Sequence, residues 1–213
     1  MSAIAIKICG LSTPATLDAA LAAGADLVGF VHFPKSPRHV GLEAGRALSA
    51  QARGRADRVL LLVDPDDALV AAAVAALDPE WIQLHGRETP ERVAAIRTAT
   101  GRRVMKAIGI ATAADLASVA AHAGVADRIL LDAKAPPEAA LPGGNGHSFD
   151  WDLLDGARLP ADYMLSGGLT PDTVAAALAR TGARAVDVSS GVEDRPGEKS
   201  PERIAAFIAA ARG

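Results

Sequence analysis

The sequence predicts an α/β fold, a (β/α)8 barrel spanning residues 1–213 as a single domain. Three observations predict it. Short β-branched or Leu-rich runs alternate from end to end with Ala-rich stretches of helical spacing. Eight such pairs are present, the number that closes a parallel barrel. Most strand starts recur at roughly 22 to 25 residues, near the minimum for a βα unit.

The strand candidates are Ala3–Ile8, Asp26–Val31, Arg58–Val63, Trp81–Leu84, Arg103–Ala107, Arg128–Leu131, Tyr163–Leu165 and Ala185–Val188. Helices are expected to begin near Pro14, Leu42, Asp66, Thr89, Thr112, Trp151, Thr170 and Ser200. Thr13-Pro14, Thr89-Pro90 and Thr170-Pro171 are start signals, because proline fits the first helical turn and threonine caps it. Gly24, Gly101, Gly124 and Gly182 stand where helices should stop. Two connections are longer than the rest, 30–41 after the second strand and 132–151 after the sixth. Barrel sites are built from the loops at the carboxyl ends of strands, so extra length there marks where a ligand is held.

Half the residues are hydrophobic and the net charge is −3, which argues for one sizeable core and against nucleic acid or anionic membranes as partners. One cysteine permits no intrachain disulfide, as expected in a reducing compartment. The apolar run at the amino end is broken by Lys7 and is too short for a signal peptide core, so the expected location is cytoplasmic.

Alternation along the first strand turns Ile4, Ile6 and Ile8 toward the helices and Ala5, Lys7 and Cys9 toward the barrel axis. A lone cysteine is ordinarily a small buried apolar residue. Here it stands at the mouth one pleat above a cation, which would lower its pKa and make thiolate available as a base. Lys7 and Asp187 share the same inward parity on neighbouring strands, so an interior ion pair is expected. Arg38 lies in a proline-stiffened loop and suits bidentate contact with a carboxylate, with Phe30 and Phe33 beside it for an aromatic ring. Gln83 and His85 point inward at the end of the fourth strand. That histidine is either an acid or base or a hydrogen-bonded scaffold group. Lys7, Arg38, Gln83 and His85 are the candidates for substrate contact.

Asp132 follows the apolar sixth strand and precedes a glycine-dense loop, 143–151, which places a carboxyl group at the mouth. The seventh and eighth strands run into Ser166-Gly167-Gly168 and Ser189-Ser190-Gly191. Small loops at these two positions are where many barrels bind phosphate through backbone N–H groups.

Taken together, these segments resemble the phosphoribosylanthranilate isomerase family over nearly the whole chain. The resemblance rests on Lys7-Ile-Cys-Gly10, Gly24–Phe30, Ser36-Pro-Arg38, Gln83-Leu-His-Gly86, Leu130-Leu-Asp132, Phe149-Asp-Trp151, Ser166–Leu169 and Asp187–Glu193. It implies an Amadori rearrangement of N-(5-phosphoribosyl)anthranilate in tryptophan biosynthesis, with no cofactor and no metal. Cys9 would be the general base, Asp132 the general acid and Arg38 the holder of the anthranilate carboxylate. Gly167, Gly168, Ser190 and Gly191 would hold the phosphate. The expected partner is a phosphorylated small molecule, and the chain is expected to be a monomer or homodimer. Two departures stand out: His147 where the family often has lysine, and Ser200 where it has aspartate, a change serine can absorb as a helix cap. Another phosphosugar barrel isomerase, or a barrel that only binds a phosphate ligand, would share the phosphate loops. The second would be expected to lose Cys9 or Asp132.

Overall fold

Strands of alternating parity pair in chain order because each connection is just long enough to carry the chain back over a helix. In the computed structural model, which describes residues 4–136, 139, 141–144 and 146–213, they close a parallel barrel in the order one to eight. The strands are β1 Ala5–Cys9, β2 Leu27–Val31, β3 Asp57–Leu62, β4 Trp81–Leu84, β5 Arg103–Ile110, β6 Arg128–Ala133, β7 Met164–Leu165 and β8 Ala185–Val188. The helices are α1 Pro14–Ala23, α2 Leu42–Ala52, α3 Asp67–Leu77, α4 Pro90–Thr100, α5 Leu116–His122, α6 Val174–Thr181 and α7 Pro201–Arg212. Among the described residues, no helix is long and apolar enough to cross a membrane.

The two parities of each strand build two cores. Ile6, Ile8, Val28, Leu60, Ile82 and Leu131 face the helices, while Leu27, Val59, Trp81, Met105, Leu130 and Met164 fill the lower interior. Helix α7 shows how the outer layer is held. Its Ile204, Phe207, Ile208 and Ala211, spaced for one face, are all buried, and each larger side chain contributes about 1.5–3 kcal/mol.

Several local expectations are corrected. The first strand's expected start, Ala3, lies outside the described residues. Strand β5 runs three residues further because Gly109 and Ile110 stay in register with Asp132 and Ala133, which puts Asp132 inside β6. The helix expected at Trp151 is one 3-10 turn, Trp151–Leu154, opened by the Asp150 carboxylate accepting from the Asp152 N–H. Gly24, Gly101 and Gly182 close their helices in the left-handed conformation. Gly124 does not, since α5 ends at Ala123 in right-handed geometry. Ser200 occupies the cap position of α7, but its hydroxyl donates to Glu202 instead of accepting from the helix. A short antiparallel pair, β9 Glu193–Arg195 with β10 Glu198–Lys199, follows β8 and was not expected.

Candidate active site

The last residue of β1 is Cys9, opposite Gly29 in register. A Cβ on Gly29 would fall 3.1 Å from the Cys9 Sγ and 3.1 Å from the Lys7 Nζ, so the bare backbone of β2 makes room for both. The expected interior pair is present: Lys7 Nζ lies 2.9 Å from Asp187 Oδ1, and Ser166 Oγ donates to Asp187 Oδ2 at 3.1 Å. Burial opposes the charge on Lys7, but Asp187 and Cys9 outweigh it and hold the ammonium above its ordinary range. Lys7, expected to contact substrate, is fully buried and does not line the cavity described below. Lys7→Met would leave Asp187 buried without its cation. Urea unfolding should then show a loss of about 3–5 kcal/mol, and Lys7→Met/Asp187→Leu should recover much of it.

Above this layer the carboxyl ends of the strands and the loops that follow them surround a cavity. Its lining includes Cys9, Arg38, Gln83, His85, Asp132, Ser166, Gly167, Gly168, Ser189, Ser190 and Gly191, that is, all the expected site residues other than Lys7. Phe33 also lines it, whereas Phe30 has the opposite parity and lies in the helix-facing core.

Asp132 is 7% exposed and accepts from the Ala133 N–H at 2.8 Å through Oδ1. Its Oδ2 lies 3.2 Å from His85 Nε2, and Gln83 Nε2 donates to His85 Nδ1 at 3.0 Å. The loop after β6 lies on this chain of three. A Cβ on Gly143 would fall 2.4 Å from His85 Nε2 and 2.7 Å from Asp132 Oδ2. Asn145 of the same glycine cluster lies outside the described residues. The β6 loop also meets the β7 loop, since a Cβ on Gly168 would be 2.7 Å from the Ser148 N, while a Cβ on Gly191 would collide with the Leu169 carbonyl.

Arg38 is buried, and its bidentate face is already used: Nε and Nη2 donate to the two oxygens of Glu193 at 2.7 and 2.8 Å. Nη2 also donates to the Gly144 carbonyl at 3.2 Å. Among the described residues Nη1 makes no hydrogen bond, so the bidentate face expected to meet a ligand carboxylate is already occupied by Glu193. Glu193 is shared with the buried Lys199, whose ammonium also donates to the Ser189 carbonyl at 3.0 Å. Burial resists ionisation of Glu193, but Arg38 and Lys199 hold its carboxyl below the ordinary range. Neither Glu193 nor Lys199 is among the site residues expected from the sequence. The Asp187–Glu193 run pointed to the first, and the Pro-Gly-Glu-Lys run at 196–199 contained the second.

Cys9 also departs from expectation. Burial pushes its thiol up, the Asp187 charge adds to that, and Lys7 and Lys199 only partly offset it. The lowered thiolate pKa fails because burial outweighs the Lys7 charge and the Asp187 charge adds to burial. Since Cys9 is the one cysteine, iodoacetamide uptake reads it alone. The alkylation rate should rise with pH through a midpoint above that of an ordinary thiol. A midpoint below it would contradict the electrostatics described.

A parallel eight-stranded barrel whose carboxyl end gathers a carboxyl group, a thiol and three closely packed Gly-rich loops places this chain among the (β/α)8 barrels with a site at the carboxyl ends of the strands. The family model described as N-(5'-phosphoribosyl)anthranilate (PRA) isomerase matches residues 6–210, and the chain belongs to that family. An N-(5'-phosphoribosyl)anthranilate isomerase of Azorhizobium caulinodans is 64% identical over 210 residues, covering 99% of this chain and 92% of that protein. The phosphoribosyl anthranilate isomerase structure from Thermotoga maritima superposes with a TM-score of 0.88 at 33% identity, covering 99% of both chains. A phosphoribosyl anthranilate isomerase structure solved with reduced 1-(o-carboxyphenylamino)-1-deoxyribulose 5-phosphate gives a TM-score of 0.85 at 32% identity over 99% of each chain.

Proposed function

We propose that this chain is an isomerase converting N-(5'-phosphoribosyl)anthranilate to 1-(2-carboxyphenylamino)-1-deoxyribulose 5-phosphate in tryptophan biosynthesis. The observation that carries this reading is the meeting of Cys9 and Asp132, from well-separated strands, in one cavity rimmed by the loops after β6, β7 and β8. The family supplies the reaction class.

The substrate is a closed ribosylamine, so its ring C–O bond must break first. Asp132 in its acid form donates a proton to the ring oxygen as that bond breaks, and the nitrogen lone pair forms the C1=N bond. The iminium acidifies the C2 proton, which the Cys9 thiolate removes to leave an enolamine. A thiol pushed up in pKa supplies less thiolate, but a more basic one, and its task is to take a proton from carbon. Return of that proton to C1, with loss of the C2 hydroxyl proton, completes the ketose. Arg38 Nη1 holds the anthranilate carboxylate by a charge-assisted hydrogen bond. The phosphate sits on the backbone N–H groups of Gly167–Gly168 and Ser190–Gly191, where loops of small residues let the backbone approach an anion.

Product identity tests this directly. ¹³C NMR of the reaction mixture should show a ketone carbon at C2 appearing as the anomeric C1 signal is lost. A mixture that yields only anthranilate and ribose 5-phosphate would contradict the assignment.

A further inference from the structure

We propose that Gln83 is a positioning residue whose side-chain amide turns over with each proton that Asp132 delivers. The Gln83–His85–Asp132 chain would thus hold the proton before ring opening and stabilise its loss afterwards. This rests on the acid role given to Asp132 above.

The starting point is an unpaired atom. Gln83 is fully buried, its Nε2 donates to His85 Nδ1 at 3.0 Å, and its Oε1 finds no partner among the described residues. A neutral imidazole carries one N–H, so accepting at Nδ1 places the proton on Nε2, facing Asp132 Oδ2 at 3.2 Å. Both Asp132 oxygens then accept, Oδ1 from Ala133 and Oδ2 from His85, which is the pattern of a carboxylate. That is the state after a proton has been given away.

Turning the amide by half a revolution exchanges Oε1 and Nε2 and reverses the chain. Oε1 now accepts an Nδ1–H from His85, and His85 Nε2 accepts the O–H of a protonated Asp132. An imidazolium on an ionised Asp132 has the same proton count and needs the same amide orientation. One proton therefore separates the two amide orientations. In either, one end of the buried amide is left unpaired, at a similar cost, so the proton on the His85–Asp132 pair decides between them.

The proton leaves Asp132 for the furanose oxygen as the ring bond breaks and its electron pair moves to that oxygen. It returns from the C2 hydroxyl as the enolamine becomes the ketose, while the Cys9 thiol gives its proton to C1. The other titratable or charged groups facing the pair are Cys9, Arg38, Lys134, His147 and Asp187 around the cavity. Lys106 lies on the strand side, bound to the Gly86 carbonyl at 2.8 Å and Glu88 at 2.9 Å.

The test is two-bond ¹H–¹⁵N spectroscopy of protein labelled with [¹⁵N]histidine, with His85→Asn to identify the His85 signals. In the wild type, Nδ1 should change from an acceptor at high pH to a proton-bearing nitrogen at low pH, and the Gln83 amide resonances should move with the same midpoint. Gln83→Glu presents an acceptor in both orientations, so Nδ1 should stay protonated. In that variant kcat should drop about 10-fold or more with KM changed less than about threefold. A wild-type enzyme that turns over with His85 in one tautomer throughout overturns the amide exchange, as does a Gln83→Glu enzyme with unchanged kcat. A wild type that shows the spectral transition but no turnover overturns the isomerase reading instead.

Discussion

Asp132→Asn is expected to lower kcat by at least about 10²–10⁴-fold, the usual contribution of a positioned acid. Asparagine keeps the shape of the side chain, so the loop over His85 and the contact with the Ala133 N–H need not move. What it cannot do is release a proton to the ring oxygen. The loss should therefore fall on kcat and leave KM nearly unchanged, the pattern of an interaction made only in the transition state. Steady-state kinetics would show it as a fall in kcat with little change in KM. A fully active Asp132→Asn enzyme would remove Asp132 from the chemistry and leave His85, 3.2 Å away, as the next group to test.

Cys9→Ser should be comparably severe. A serine hydroxyl in the same place would need to lose its proton in a setting that already pushes a thiol up by burial and by the neighbouring Asp187 charge. The change is small in volume, so folding should survive, and kcat should fall by about 10²–10⁴-fold or more. Deuterium at C2 of the substrate should give a primary isotope effect in the slowed enzyme, since removal of that proton then limits turnover. A Cys9→Ser enzyme with near-normal kcat would mean that another group takes the C2 proton.

What could be read from the sequence divides along physical lines. Strand parity is local, so Lys7 and Asp187 could be paired across β1 and β8 before any coordinates, and they meet at 2.9 Å. The small loops after β7 and β8 were legible for the same reason, because Gly167-Gly168 and Ser190-Gly191 stand at fixed places relative to their strands, and both line the cavity. Contacts between distant segments were not. Arg38 and Glu193 are 155 residues apart, and nothing in the Pro-Arg-His run says that its bidentate face is already taken. The direction of the Cys9 shift depends on how the Lys7 charge is divided between Asp187 and the thiol and on how much burial costs, a balance that parity cannot supply. Strand β7 keeps two residues, and the turn at Trp151 never becomes an α-helix.

The central claim is that one cavity, with Asp132 as acid and Cys9 as base, isomerises phosphoribosylanthranilate. The most direct measurement is the loss of phosphoribosylanthranilate fluorescence on addition of purified protein, with Cys9→Ser and Asp132→Asn alongside. The account predicts a decay proportional to wild-type concentration and nearly absent with either variant. Decay no faster than in buffer, or equal decay with all three proteins, would contradict it.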